Sequence, residues 1–433
     1  MKVVFGFSRT NMAGTTLHSR ESVDDRPISS QQLLVVAMCA LIVFVDGFDA
    51  QAMGYVALAL MEDLQISRGV LGPVISSGLV GMMIGALVCG SLADRIGRRP
   101  VLIGCVLIFG VGSLLTATAD SVSALIGFRL LTGLGMGGAM PNAIALTSEI
   151  MPVRRRGAAV TTMICGFSLG AAVGGFVAAP VIPRFGWQSV FVIGGTAPLV
   201  IAVAAFRWLG ESPRFLRIRD GRDAGATLVR FPVTELFTHG RALPTVLIWV
   251  VYFTNLLNLY FLNSWLPTIM SDAGIPVSTA IRLTALFQVG GIGGALVLGA
   301  LLDRYFSFWV LAACYAWAAI SVLLIGMAGA SPLVLGITIA CAGLGIIGGQ
   351  NGGHAVTSGF YPTAIRSTGV GWALGVGRVG SIVGPVLGGM LLAQGTSVRQ
   401  VFWSAAIPSL IATLAAVGVA VKSRHGDVSH GDH

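Results

Sequence analysis

Charge is what this chain has least of: 27 Lys and Arg with 18 Asp and Glu make up only 10% of its 433 residues, against about 25% in soluble domains. With 55% hydrophobic residues and a mean hydropathy of +0.85, that scarcity excludes an ordinary soluble globule and leaves a polytopic membrane protein. The deep parts of the apolar runs hold no histidine, no His-Glu-x-x-His motif is present, and no nucleophile–base or metal constellation stands out, so an enzyme is not expected. Nor is there a pore-lining polar stripe of the kind a channel needs. The six cysteines (Cys39, Cys89, Cys105, Cys165, Cys314 and Cys341) lie inside apolar runs without metal-ligand spacing, and read as small core residues rather than disulfides or ligands. The polar first 32 residues lack an apolar core of signal-peptide length, Val3 to Phe7 being too short, so no cleaved leader is expected.

What is present is a series of long apolar runs. A helix needs about 20 residues to cross a bilayer. Runs near 33–60, 70–92, 100–119, 122–150, 158–182, 186–209, 243–271, 277–302, 307–328, 332–353, 364–393 and 398–421 meet that length. The expected organisation is a tail (1–32), a six-helix bundle (33–209), a linker (210–242), a second bundle (243–421) and a tail (422–433). The net charge of +9 does not point to nucleic acid, because its distribution is topological. With the amino terminus inside, the outer loops carry only Arg68, Arg184, Arg282 and Arg399, while Arg95, Arg98, Arg99, Arg154, Arg155, Arg156, Arg214, Arg217 and Arg219 fall on the inner side. This asymmetry places both termini in the cytoplasm and the chain in the cytoplasmic (inner) membrane.

The chain also repeats itself. Gly90-Ser-Leu-Ala-Asp94-Arg95 returns as Gly299-Ala-Leu-Leu-Asp303-Arg304, an offset of 209, and Gly133-Leu-Gly135, Thr147-Ser148, Pro152 and Arg156 return at an offset of 210. Two separate segments sharing nearly one offset imply duplication of a six-helix unit. The copies keep the same orientation, as in transporters that rock two bundles around a site near the midplane.

Ionisable side chains at depth are expensive and therefore functional by default. Asp46 and Asp49 share a helix face, and helical rise puts them roughly 20 and 24 Å from the inner end of the first span. Arg129, on the oppositely running fourth span, lies about 10 Å from its outer end by the same rise, a depth it shares with Asp49. Arg378 falls mid-way along the eleventh span. Two acids and two guanidiniums can neutralise one another, yet guanidinium also offers a planar fork to an anionic substrate. Because arginine stays charged, protons must ride on the aspartates. Asn255 and Asn258, at the repeat equivalents of the two acids, join Tyr260, Asn263, Trp265 and Asn142 as candidates for hydrogen bonding or stacking on a flat ligand. Trp265 fits an interfacial aromatic belt equally well. Asp94 among Arg95, Arg98 and Arg99, together with Glu149 and Asp303, are candidates for charge pairing with a facing helix end when the inner side is shut. His354, near the inner mouth, is expected to act as a gate or cap.

The stretch Gly90-Ser-Leu-Ala-Asp94-Arg95-Ile-Gly97-Arg98-Arg99 resembles the loop signature of the major facilitator superfamily. Arg129-Leu-Leu-Thr-Gly133-Leu-Gly135 is similar to its second signature, and Gly210-Glu211-Ser212-Pro213-Arg214 to the motif closing its sixth helix. Within it, Asp46-Gly47-Phe48-Asp49, Gly138-Ala-Met-Pro-Asn142 and Phe360-Tyr-Pro-Thr-Ala-Ile-Arg366-Ser-Thr-Gly369 resemble the aromatic acid:proton symporters. The resemblance implies an all-α membrane protein of twelve transmembrane helices in two six-helix halves. It further implies uptake of a small aromatic carboxylate such as 4-hydroxybenzoate, protocatechuate or benzoate with protons, and no cofactor beyond the coupling proton. Proton and substrate roles fall on Asp46 and Asp49, a coupling role on Arg129 and a gating role on Asp94. After Asp303-Arg304 comes Tyr-Phe-Ser rather than Gly-Arg-Arg, which predicts a weak inner lock in the second half. A monomer in the lipid bilayer, without nucleic acid, suffices for this expectation. The rival readings are a facilitator-type exporter of drugs or organic anions, and a transport-dead sensor.

Overall fold

The computed structural model describes residues 28–219, 233–305, 307–329, 331–362 and 365–427. Its twelve long helices are α1 (Ser30–Leu64), α2 (Arg68–Ile96), α3 (Arg98–Thr116), α4 (Val122–Ile150), α5 (Val153–Phe185), α6 (Gln188–Trp208), α7 (Ala242–Asp272), α8 (Val277–Arg304), α9 (Phe308–Ile325), α10 (Pro332–Phe360), α11 (Arg366–Ala393) and α12 (Val398–Asp427). All twelve are long and apolar enough to cross a membrane. In hydrocarbon a helix is the solution that satisfies its own backbone. Most spans run a few residues past the expected limits because polar ends extend them: α1 begins at a capping box between Ser29 and Gln32. Between the halves, the linker holds a short helix (Pro213–Arg219) and a 3-10 turn (Val233–Phe237). The remainder of the expected linker and both distal tails lie outside the described residues.

The repeat returns as contacts. A Cβ at Gly170 of α5 would stand 1.8 Å from the Phe44 carbonyl of α1, and one at Gly380 of α11 would stand 2.2 Å from that of Phe253 in α7. Likewise Gly133 of α4 meets the Gly78 carbonyl at 1.9 Å, and Gly343 of α10 meets that of Phe287 at 1.9 Å. Each pair maps onto its counterpart at the offsets read from the sequence. Without a hydrophobic force between helices in lipid, such backbone approach at small residues is what holds the bundle.

Inner and outer denote the faces as the arginine distribution assigns them. On the outer side one apolar cluster crosses the two halves, joining Phe48, Leu60 and Leu71 to Trp265, Phe287 and Ile346. Arg68 and Asp272 bridge the halves with a two-pronged ion pair of 2.8 and 2.7 Å. Ser76 donates to the Ile382 carbonyl at 2.7 Å, and Gln51 to that of Asn263 at 2.7 Å. On the inner side the apolar residues form two separate clusters, one per half. The apolar packing that joins the halves is thus concentrated on the outer side.

Candidate functional site

Asp49 is fully buried and its Oδ2 accepts from Arg129 Nη1 at 2.8 Å. The depth shared by α1 and α4 thus becomes a direct ion pair. Ser113 of α3 donates to Asp49 Oδ1 at 2.9 Å, and the Phe191 ring lies 5.6 Å from the guanidinium. A buried pair is tolerated only where remaining lone pairs and protons find partners. Here the carboxylate is satisfied, while Arg129 Nε is not.

Asp46 differs. It is 1% exposed, and neither carboxylate oxygen has a hydrogen-bond partner among the described residues. Its electrostatic neighbours are Asp49 and, from the other half, Arg378. Arg378 is half-buried and makes no ion pair with any described residue. Acid and guanidinium are therefore within electrostatic reach of each other across the junction of the halves, with no ion pair between them.

The second half contributes a chain of polar side chains. Asn255 donates to Gln350 Oε1 at 2.6 Å, Gln350 Nε2 lies 3.2 Å from His354 Nε2, and the Tyr252 hydroxyl lies 3.2 Å from His354 Nδ1. His354 also sits within electrostatic reach of Arg378. Among the described residues, the hydrogen-bond partners of His354 belong to its own half.

Above the charged level, a narrow cavity between α1, α2, α4 and α7 is lined by Tyr260, Asn263, Arg129 and three methionines (Met53, Met82 and Met136) among others. Its ≈ 20 Å³ of free space holds about one water molecule. Three candidates lie elsewhere. Trp265 is wholly buried in the outer cluster and donates to the Pro385 carbonyl at 2.9 Å, which makes it packing rather than a belt or pocket residue. Asn258 turns toward α12 and donates to Ser409 at 2.7 Å. Asn142 bonds back to the Gly138 carbonyl of its own helix at 2.8 Å.

The inner charges form a network inside the first half. Arg98 pairs with Glu149 at 2.9 Å and stands 3.9 Å from Asp94, which is 63% exposed. Ser212 donates to Glu149, and Glu211 caps α3 by accepting from the backbone N–H groups of Arg98 and Arg99 at 3.0 and 3.1 Å. Gly97, at φ 105°, is obligatory there, since a Cβ would stand 2.4 Å from Glu211 Oε2. Arg99 donates to the Phe206 carbonyl at 2.6 Å. Arg95 and Asp303 are exposed, with no ion pair to a described residue. Among the described residues, none of these charges makes an ion pair or hydrogen bond to the second half.

Tyr252, Gln350, Gln51, Gln288 and Ser113 were not singled out by sequence. Gln350 and His354 stand at i and i+4, and Gln51 follows Asp49 by two, signals that were available; Ser113 carried none. Ser168, in Gly166-Phe-Ser168-Leu-Gly170, has the spacing of a nucleophile elbow. It lies within continuous α5, not on the strained strand-to-helix turn that exposes such a serine, and so is not one.

The family model described as Major Facilitator Superfamily matches residues 39–305 and 248–431. A 4-hydroxybenzoate transporter of Pseudomonas putida is 42% identical over 98% of this chain and 98% of its own length. A gallate transporter of the same species is 38% identical over 92% and 93%. Among solved structures, the inward-open xylose transporter of E. coli aligns with TM-score 0.71 at 16% identity, covering 90% of this chain and 95% of that one, a likeness of fold alone.

Proposed function

The chain belongs to the major facilitator superfamily, and from that premise we propose that it carries a small aromatic carboxylate into the cell together with protons. It is a multi-pass transporter, not an enzyme. The observation that carries the reading is Asp46, buried and without a hydrogen bond among the described residues, in electrostatic reach of an Arg378 that makes no ion pair with any described residue. Asp46, Asp49, Arg129 and Arg378 sum to zero when all are charged. A substrate carboxylate settling on Arg378 adds one negative charge, and the buried set balances again only when an acid binds a proton. Asp49 is held by Arg129 and Ser113, so the proton goes to Asp46. An isolated buried carboxylate is the costliest of these groups to keep ionised.

The names of the relatives, transporters of 4-hydroxybenzoate and of gallate, support a benzoate-type acid as cargo. In this reading the exposed Asp94 set closes against a facing helix end when the inner side is shut and separates when it opens. The protein sits as a monomer in the cytoplasmic membrane with both termini inside. One proton per monoanion moves no net charge; a second brings in the membrane potential, about 2.3 kcal/mol per 100 mV.

The test is uptake by cells of labelled benzoate, 4-hydroxybenzoate and protocatechuate at external pH 6 and 8. Accumulation that is faster at pH 6 and abolished by a protonophore is the expected result. Accumulation indifferent to both contradicts the reading.

A further inference from the structure

Resting on the reading of a benzoate-type acid as cargo, we propose that the cavity closed by Tyr260 and Asn263 is a hydroxyl pocket that selects acids bearing a para hydroxyl. Three observations converge on it. The first is size: the cavity admits about one water, hence a hydroxyl oxygen rather than a ring. The second is unused bonding capacity. Asn263 spends its carbonyl groups on Gln51 and Gln288, while its Nδ2 and the Tyr260 hydroxyl have no hydrogen-bond partner among the described residues, and both residues line the cavity. One supplies a donor and the other either a donor or an acceptor, which matches a phenol oxygen and its proton.

The third observation is position. Ala50 and Ile382, one turn outward of Asp46 and Arg378, pack in one small cluster with Tyr260, Leu79, Met82 and Met136. The cavity thus stands beside Arg129 and outward of the level of Asp46 and Arg378. Tyr260 lies 18 residues past Ala242 in α7 and Arg378 lies 12 past Arg366 in α11. Both helices enter from the inner face, so helical rise separates the two levels by roughly 9 Å. A carboxylate on Arg378 points the opposite ring position at the cavity.

The reverse orientation, with the carboxylate in the cavity beside Arg129, is disfavoured by charge. Arg129 is already neutralised by Asp49 at 2.8 Å, whereas Arg378 makes no ion pair with any described residue. An anion goes to the uncompensated guanidinium and a neutral hydroxyl to the compensated one. There the hydroxyl takes the hydrogen bonds that Tyr260 and Asn263 leave unused. Methionine walls, with three rotatable bonds and a polarisable sulfur, can shift against the ring edge below.

The experiment compares uptake of 4-hydroxybenzoate, 3-hydroxybenzoate and benzoate by the wild-type protein, Tyr260→Phe and Asn263→Ala, each as kcat/KM. For each variant the preference for 4-hydroxybenzoate over benzoate falls about 5- to 10-fold, the worth of one neutral hydrogen bond, while that for 3-hydroxybenzoate over benzoate moves less. Benzoate uptake reports whether each variant is folded in the membrane, and a variant that carries none is replaced by Asn263→Ser. Equal losses for all three acids overturn the pocket and leave the transport reading standing. A wild-type protein that takes up none of them removes both.

Discussion

Asp49→Asn is expected to lose proton-coupled uptake by about 100-fold or more and to unfold more easily, because the change strands Arg129 as an unpaired charge between α1 and α4. Asp49 and Arg129 are 0% and 4% exposed and 2.8 Å apart. Removing one partner of such a pair costs about 3–5 kcal/mol, more than the pair contributes, because the survivor's desolvation goes uncompensated. The double variant Asp49→Asn/Arg129→Gln separates the two consequences. Removing both charges recovers much of the thermal stability, since no lone ion remains. Uptake stays lost in the double variant if the pair is part of the charge balance that couples anion and proton. Thermal melting in detergent and uptake in vesicles read the two effects. A double variant as unstable as the single, or a single variant transporting at the wild-type rate, contradicts this account.

Gly47→Ala is the second large effect, from a single methyl group. Gly47 lies between the two acids, and an added Cβ would stand 1.9 Å from the Phe167 carbonyl oxygen and 2.7 Å from its carbon. Both are backbone atoms of α5, so no rotamer change relieves the clash and the helices must part. Overpacking of this kind costs about 1–3 kcal/mol. A displacement near 1 Å moves Asp46 relative to Arg378 and Asp49 relative to Arg129, and misplacement of that size can cost about 100-fold in rate. The matched control is Gly104→Ala in α3, where an added Cβ meets nothing within 4 Å. There the helix gains about 1 kcal/mol of propensity and uptake stays at the wild-type level. Vesicle uptake normalised to the folded protein in the membrane checks both; equal behaviour of the two variants contradicts the packing argument. The spacing of Asp46-Gly47-Phe48-Asp49 thereby has a mechanical reading, with the acids presented and the glycine docking the helix that presents them.

Depth was legible in the sequence because rise per residue is nearly constant in a helix. Asp49 and Arg129, placed at one level from residue counts alone, form an ion pair. The repeat offsets carried over from letters to contacts, since Gly170 and Gly380, and Gly133 and Gly343, meet equivalent carbonyls. Azimuth was not legible. Asn255 and Asn258 mirror the two acids in sequence, yet the first bonds Gln350 beside the site and the second bonds Ser409 on α12. Spans that are apolar around their whole circumference give no moment from which to read which side faces a neighbour. Trp265 was open to two readings for that reason, ligand stacking or an interfacial belt, and its buried bond to Pro385 supports neither. The conformational state was not legible either, because one sequence must support both an outward-parted and an inward-parted arrangement. That is why the Asp94, Arg98 and Glu149 group, read as charges that pair with a facing helix end when the inner side is shut, makes its ion pairs among the described residues within the first half.

The coupling claim is tested most directly by proton movement across reconstituted vesicles loaded with weak buffer, with a pH-sensitive dye outside. Adding 4-hydroxybenzoate to the outside of vesicles carrying the wild-type protein is predicted to make the outer medium more alkaline as the acid enters. Vesicles carrying Asp46→Asn, with Asp49 and Arg129 intact, are predicted to give no pH change. Entry of the acid at the wild-type rate through Asp46→Asn, with the same alkalinisation as before, would show that the proton rides elsewhere.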